Sequence, residues 1–202
     1  MYYIGIDVGL NGSICILNNK GKLEKSLKMP VVKIEEGAYK HWYNLNEIID
    51  LFNNYKDSKI ILEYQRPMPG QGSASMFRLG RGFGLLEGIT TTIYKDNVII
   101  SDPKLWQNYL SKKYLTKDIS NAFKKKTLNY DIIVDTIADD IYKTWFLKYI
   151  TMKSTSPAKV KSSYLYYIIN SIDKDTLDFK DNNIVDAYLI AKYCYLRELI
   201  TV

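Results

Sequence analysis

Short apolar runs interrupted by turn residues predict strands near the start of the chain. Residues 2–8 read Tyr-Tyr-Ile-Gly-Ile-Asp-Val, which is typical of a buried strand, and glycines and an asparagine follow at 9–12. Residues 13–17 and 23–29 form two further β-rich runs, separated by an Asn-Asn-Lys-Gly turn at 18–21. The pattern therefore predicts a three-stranded meander.

Helical and strand periods alternate after the meander. Between 44 and 55 the apolar positions recur with helical spacing, and Asn44 or Asn46 is the expected N-cap. The other predicted elements are strands at 59–64 and 97–101, and helices at 73–94, 103–110, 157–171 and 184–199. Their order is typical of an α/β fold in which helices flank a mixed, five-stranded sheet.

One stretch departs from this alternation. Residues 117–153 contain a run of three lysines at 124–126 and then four aspartates, Asp131, Asp135, Asp139 and Asp140, a change of charge typical of a solvated helical excursion. No internal repeat or long linker divides the 202 residues, and 47% of them are hydrophobic. We therefore expect a single domain spanning 1–202 with a helical insertion at 117–153.

The apolar runs also bear on location. None of them approaches the roughly 20 residues that a membrane-spanning helix requires. The first residues lack the basic start, apolar stretch and cleavage site of a signal peptide. We expect a cytoplasmic protein without membrane contact.

Composition narrows the chemistry. The net charge is +6, which favours a polyanionic partner, although the abundance of Lys, Asn, Ile and Tyr is also what an A/T-rich coding sequence produces. More informative is that three of the four arginines fall within residues 66–81. Cys15 and Cys194 are expected to be buried, and with His41 as the single histidine a zinc site is excluded. Any metal must be a hard ion with oxygen ligands.

Three acidic side chains lie where apolar segments end or begin. Asp7 closes the first predicted strand ahead of glycines, although an aspartate there is also a common turn former. Glu63 follows three aliphatic residues, so it is either a buried acid with a partner or an edge residue entering a loop. Asp186 lies inside the last helix, three residues after Asn183. Capping by Asp181 or Asn182 explains the polar start of that helix but not Asp186.

Three acids from three elements, with neither His nor Cys nearby, are typical of a magnesium-dependent phosphoryl-transfer site. In such a site two ions about 4 Å apart bind both sides of the scissile phosphate. A nucleophilic Ser-His or Cys-His system is improbable with a single histidine.

Four motifs follow one another along the chain: Gly-Ile-Asp-Val-Gly at 5–9, Leu-Glu at 62–63, Ser-Asp-Pro-Lys-Leu-Trp-Gln at 101–107 and Asp-Ala-Tyr-Leu-Ile-Ala at 186–191. In this order they resemble the RuvC family of Holliday-junction resolvases in a compact bacteriophage form. Apart from 117–153 the resemblance covers nearly the whole chain. It implies an RNase H-like fold, a homodimer and nicking of branched DNA with two Mg²⁺ ions, for which Mn²⁺ is a substitute, and without a nucleotide cofactor.

The resemblance assigns metal-binding and catalytic roles to four positions. Asp7, Glu63 and Asp186 match the family's acids, and Asn183 stands where the family usually has a fourth acidic or histidine ligand. A neutral amide can still offer its carbonyl oxygen to Mg²⁺, but the site has one negative charge fewer. Either Asp181 compensates, or Asn183 is an inactivating substitution; the sequence leaves both open.

The segment after Glu63 predicts contacts to DNA. Its side chains suit phosphate and sugar oxygens or, as wedges, an unstacked junction. The predicted DNA-binding residues are Arg66, Gln71, Ser73, Ser75, Phe77, Arg78 and Arg81, with Met68 as a second wedge and Lys161 from a later helix. Lys159 is a further candidate cation for the scissile phosphate, although both lysines also fit a solvated surface.

Glycines at 80, 84 and 88 share one face of the helix predicted at 73–94. Each costs about 1 kcal/mol relative to alanine in a helix, which suggests close approach by another element. A dimer seam and packing on the chain's own sheet both explain the stripe, and a two-fold dimer suits a four-way junction.

The sequence-based hypothesis is therefore an endodeoxyribonuclease that nicks Holliday junctions and other branched DNA, leaving 5′-phosphate ends as the resemblance implies. The alternatives are an inactive junction-binding protein, an RNase H-type nuclease acting on RNA–DNA hybrids, and an actin or sugar-kinase phosphate loop, which 202 residues disfavour. The residue bias and compactness fit a phage of a low-GC bacterium, acting in the host cytoplasm.

Overall fold

The computed structural model describes residues 1–37, 40–67, 69–123, 130–152, 156–173 and 181–201. The strands are β1 (Tyr2–Asp7), β2 (Ser13–Leu17), β3 (Leu23–Lys28), β4 (Val31–Lys33), β5 (His41–Tyr43), β6 (Ser58–Glu63) and β7 (Val98–Ser101). The helices are α1 (Leu45–Asn54), α2 (Ser73–Tyr94), α3 (Pro103–Tyr114), α4 (Lys117–Ala122), α5 (Asp131–Val134), α6 (Asp140–Ile150), α7 (Pro157–Asp173) and α8 (Asn182–Thr201).

Five strands form one mixed sheet in the order β3-β2-β1-β6-β7. The meander β1-β2-β3 is antiparallel, whereas β6 and β7 run parallel to β1. The carboxyl ends of β1, β6 and β7 therefore meet at one edge of the sheet. The sequence prediction of an α/β fold with a five-stranded mixed sheet flanked by helices is confirmed.

Helices cover both faces of the sheet, and the alternation of side chains along each strand divides the core. One face carries Ile4, Ile6, Ile60 and Leu62, which pack with α1 and α2. The opposite face, with residues such as Ile61, packs against α3, α7 and α8. Because side chains two positions apart point the same way, the face of each strand that meets α8 also carries the residue at its carboxyl end.

Gly5 sets the distance between α8 and the sheet. A Cβ at this position would overlap the carbonyl oxygen of Ala187 and the backbone nitrogen of Ala191. The main chain of α8 therefore lies directly on β1, and no other residue type leaves room for that approach. Ala187 follows Asp186 in the chain, so the contact brings Asp186 to the strand that ends at Asp7.

The described residues between 117 and 152 form three helices, α4, α5 and α6, joined by turns and short irregular segments. Parts of α4, α5 and α6 build a third hydrophobic cluster together with α7, centred on Ile133, Phe146 and Tyr164. Asp139, one of the four aspartates that follow the lysine run, caps α6 by accepting a hydrogen bond from the Tyr142 backbone. The run 124–126 lies outside the described residues.

The structure also shows elements and environments that the sequence pattern did not predict. Strands β4 and β5 form a separate antiparallel hairpin between β3 and α1. Asn44, not Asn46, caps α1, and its side chain exchanges hydrogen bonds with Glu47. Cys15 and Cys194 are buried, as predicted. None of the helices in the described ranges is long and apolar enough to cross a membrane.

Replacing Gly5 by alanine is expected to lower the free energy of unfolding by about 3 kcal/mol, because backbone atoms on both sides must move. Urea unfolding checks the value. The matched control is Gly72→Ala, ahead of α2, where an added Cβ also meets nothing within 4 Å among the described residues, and it should change the stability by at most about 1 kcal/mol. Equal effects of the two substitutions would contradict the role of Gly5.

Candidate functional site

Asp7 and Glu63 lie side by side where two parallel strands end. Ile6 pairs with Leu62 across β1 and β6, and each acid is the next and last residue of its strand. Asp7 is two residues after Gly5, so it shares the face that α8 covers. The strand register therefore places both carboxyl groups on one face of one sheet edge, as their predicted positions in the chain require.

Asp186 completes the group from the first turns of α8. The contact of α8 with Gly5 sets its height above β1, and the charge of Asp186 acts on Asp7. Glu63 also raises the pKa of both aspartates. The three acids that the sequence singled out are thus brought together from three separate elements.

Burial raises the pKa of all three carboxyl groups, and repulsion from the other acids adds to this effect for Asp7 and Asp186. Burial, followed by the charges of Asp186 and Glu63, raises the pKa of Asp7 well above its usual value. Burial raises the pKa of Asp186 to about 7, although a hydrogen bond from Ser162 opposes the change. The pKa of Glu63 is raised by burial as well. Concentrated negative charge in a low-dielectric environment is costly unless a cation compensates it.

The hydrogen-bond partners of the acids differ. Trp106 Nε1 donates to Glu63 Oε1 at 2.9 Å, and Gln65 Nε2 donates to Glu63 Oε2 at 3.3 Å. Asp186 Oδ1, by contrast, is buried without a hydrogen-bond partner among the described residues, and so is Ser13 Oγ. Ser13 lies directly opposite Asp7 in the β1–β2 register. Two buried oxygens at this edge of the sheet therefore lack a donor or ligand.

Asn183 and Asp181 perform different tasks at the start of α8. Asn183 Nδ2 donates to the carbonyl oxygen of Asn11 at 2.6 Å, which ties α8 to the loop after β1. Asp181 accepts hydrogen bonds from the Asn183 and Ile184 backbones and pairs with Lys28 at 3.0 Å. Burial alone would raise the pKa of Asp181, but these hydrogen bonds lower it below its usual value. Asp181 is therefore committed to capping the helix.

The charge of Lys159 acts on two of the acids. It lowers the pKa of both Asp7 and Asp186. Lys159 also lies one turn before Ser162, the residue that donates to Asp186, so the two share a face of α7. Lys161, predicted to bind DNA, is two positions further along and faces away from Lys159, because residues i and i+2 of a helix do not share a face.

A cleft of about 370 Å³ opens beside Asp7. The loop after β1 forms one wall together with Asn183, and Gln71 together with the first half of α2 forms the other. Three predicted DNA-binding residues, Gln71, Ser75 and Arg78, line this second wall. The structure thus brings part of the predicted DNA-binding segment to the acidic group.

The other predicted contact residues of this segment do not line the cleft, and their surroundings differ. Arg66 forms an ion pair with Asp102, the N-cap of α3. The Arg81 guanidinium stacks over the Trp42 ring, 4.9 Å from its centroid. Phe77 is 67% exposed, which is unusual for so large an apolar side chain. Ser73 is the exposed first residue of α2, and Met68 lies outside the described residues.

The donor set fits a hard divalent cation. Carboxylate and amide oxygens are the ligands that such ions prefer. The buried Asp186 Oδ1, which has no hydrogen-bond partner among the described residues, is available to bind such an ion. The Asn183 amide nitrogen is occupied by Asn11, which leaves its carbonyl oxygen to act as a ligand. In the described ranges, no three His, Cys, Asp or Glu side chains already form a group of the kind that holds a metal ion.

Sequence reasoning missed several residues of the site, among them Gln65, which donates to Glu63. The Trp106 indole and the Ser162 hydroxyl support Glu63 and Asp186, and Tyr43 lines the cleft. Trp106 had a usable signal, since a buried tryptophan normally finds an acceptor for its N–H. For Ser162 and Tyr43 the chain offers no local pattern, because their partners lie in distant elements.

Comparisons with known proteins add no assignment. A scan against protein-family models finds no matching family, and a search of curated proteins finds no significantly similar sequence.

The raised pKa of Asp186 predicts that the cation-free protein loses stability as the pH rises. A carboxyl group whose pKa moves from 3.8 to about 7 on folding stabilises the folded state fully below pH 4, and this stabilisation is lost towards pH 7. At about 1.4 kcal/mol per pH unit, the loss is at most about 4 kcal/mol. Asp186→Asn should therefore unfold at higher urea than the wild type at pH 8 in EDTA, and not at pH 4.

The control for this measurement is Asp50→Asn, because Asp50 is exposed on α1, away from the acidic group. It should leave the pH dependence of the wild type unchanged. A wild type and an Asp186→Asn variant with the same pH dependence would contradict the predicted effect of burial.

Proposed function

We propose that this chain is a structure-selective DNA endonuclease with an RNase H-like fold, which nicks four-way and other branched DNA by hydrolysing a phosphodiester. The observation that carries the proposal is the group of three buried carboxyls at one sheet edge, beside a cleft whose far wall presents Gln71, Ser75 and Arg78. The order of strands and helices and the resemblance of the four sequence motifs to RuvC resolvases support the same reading.

Asp7, Glu63 and Asp186 hold Mg²⁺ in this proposal, with the Asn183 carbonyl as a further ligand. The metal, when bound, supplies an activated water and neutralises charge on the scissile phosphate. Trp106 and Ser162 keep Glu63 and Asp186 in fixed orientations through their hydrogen bonds. The exposed Lys159 adds positive charge that favours the ionised forms of Asp7 and Asp186.

Helix α2 provides the DNA-binding wall. Arg78 and Gln71 suit phosphate oxygens of a strand lying in the cleft. The exposed Phe77 lies next to Arg78 in the chain and suits stacking on a base that is unpaired at a branch point. Recognition would then depend on the shape of the branch rather than on base sequence.

A second candidate function is a junction-binding protein without nuclease activity. It is favoured by Asn183, whose amide already serves a structural purpose in binding the Asn11 carbonyl. Asp181 does not replace the missing acid in this structure, since it caps α8 and pairs with Lys28. The two candidates agree on DNA binding and differ only in cleavage.

Nicking of a synthetic four-way junction tests the proposal. The wild type should cut the junction in Mg²⁺ or Mn²⁺ and not in EDTA, and it should cut a linear duplex of equal length far more slowly. Asp7→Asn should lower the nicking rate at least about a hundredfold, because a metal ligand is lost, and leave binding in place. Arg78→Ala should weaken binding and reduce its dependence on salt, because one phosphate contact is lost.

The controls separate the alternatives. Lys20→Ala removes one positive charge from the turn between β2 and β3 and should leave junction affinity nearly unchanged. Tight binding without cutting would identify the binding protein, and recovery of cutting in Asn183→Asp would then show an inactivated enzyme. Preferential cutting of an RNA–DNA hybrid would replace the junction proposal with an RNase H-type activity.

The proposed partner also includes a second copy of the chain. Within the described residues, a Cβ added at Gly80, Gly84 or Gly88 meets nothing within 4 Å, so the glycine stripe does not pack on the chain's own sheet. A groove of about 500 Å³ beside the stripe is lined by residues such as Ile49 and Ile89. A two-fold dimer through α2 would cover this surface and present two matched sites to a junction.

The dimer proposal predicts a solution mass of about twice the chain's 23.4 kDa. Gly84→Arg should shift the protein to the monomer, because a long charged side chain then stands in the seam while the isolated chain has room for it. Gly72→Arg introduces the same side chain in open space ahead of α2 and should remain dimeric. Sedimentation equilibrium measures all three, and a monomeric wild type would refute the seam.

A further inference from the structure

Helix α6, in the segment whose role the sequence left unexplained, is attached to both helices that surround Asp186. Tyr142 donates a hydrogen bond to the Ser163 carbonyl on α7 at 2.6 Å. Tyr149 donates to Asn182 Oδ1, at the start of α8, at 2.6 Å. The two tyrosines are seven residues apart, so they lie two turns apart on one face of α6.

Both attachment points adjoin residues of the acidic group. Ser163 follows Ser162, which donates to Asp186. Asn182 precedes Asn183 and lies four residues before Asp186, one turn away on the same face of α8. Tyr149 also interacts electrostatically with the acidic group, since burial and then the charge of Asp186 raise the pKa of Tyr149 to about 12.

The packing around Tyr149 leaves its hydroxyl little freedom. The side chain is buried, and its ring stacks on Trp145 with the centroids 4.7 Å apart and the planes 14° apart. Tyr142 stacks in the same way on Tyr167 of α7, also at 4.7 Å. A hydroxyl held by such packing keeps its partner in one orientation, and a buried hydroxyl that loses its partner is costly.

We infer that α6 serves as a brace for the acidic end of α8, with Tyr149 as the positioning residue that holds the first turn of α8, and with it Asn183 and Asp186, in place. The role of Tyr149 in catalysis rests on the proposed nuclease function. Its effect on the first turn of α8 does not depend on that function.

Tyr149→Phe tests the inference because it removes the hydroxyl and keeps the ring stack. Three quantities should change. Hydrogen exchange of the amides at 183–187 should become faster, and the affinity for Mn²⁺ measured by calorimetry should fall about tenfold, as for the loss of a group that orients a metal ligand. The nicking rate should fall, while the affinity for the junction stays unchanged. Tyr167→Phe is the matched control, since its hydroxyl accepts from the Ala138 backbone within the same cluster. It should leave all three quantities at the wild-type values.

Asn182→Ala breaks the same hydrogen bond from the other side and covers the case in which Tyr149→Phe does not fold. The double variant should then be no worse than the more affected single variant, because both remove one interaction. Wild-type exchange at 183–187 in both single variants would overturn the inference. If the wild type neither binds Mn²⁺ nor cuts branched DNA, the nuclease proposal fails, while the exchange measurement still decides whether Tyr149 holds α8.

Discussion

The approach of α8 to β1 at Gly5 is the constraint on which the site depends. A helix normally packs on a sheet through side chains, but here backbone lies on backbone. This contact sets where Asp186 stands relative to Asp7, and the parallel register of β1 and β6 sets where Glu63 stands relative to both. The acids therefore come from three elements whose relative positions are determined by main-chain geometry.

Bringing the three acids together has an energetic cost, which hydrogen bonds from neighbouring residues reduce. Burial raises the pKa of all three carboxyls, and repulsion from the neighbouring acids raises it further for Asp7 and Asp186. Trp106, Gln65 and Ser162 each donate a hydrogen bond to one of the acids, but the buried Asp186 Oδ1 has no partner in the described part of the chain. Such unrelieved charge is typical of a site arranged for a ligand rather than for stability.

Much of this arrangement was predictable from the sequence, and the limit has a physical basis. Asp7 and Glu63 each close an apolar strand, and Asp186 interrupts an apolar helix, so local pattern alone identified them and the five-stranded sheet. The hairpin of β4 and β5 was not predicted, because its strands have three residues each, too few to show the alternation of apolar and polar positions typical of a strand.

The hydrogen-bond partners of the acids were not predicted from the sequence, for a different reason. The bonds of Trp106 to Glu63 and of Ser162 to Asp186 join elements that only the tertiary fold brings together. The glycine stripe showed the opposite limit. Its spacing was visible in the sequence, but whether it meets the sheet or open space depends on the rotation of α2 about its axis, which no local pattern specifies.

The hydrogen bond between Trp106 and Glu63 gives the protein an internal optical probe. The indole is almost completely buried, and its N–H touches one of the three carboxyls directly. Protonation of Glu63 or binding of a cation there changes the electric field across the indole ring. The wavelength of the tryptophan fluorescence emission should therefore shift. If Trp42 and Trp145 are replaced by phenylalanine, which keeps a ring against Arg81 and Tyr149, selective excitation of tryptophan reports on Trp106 and the acidic group.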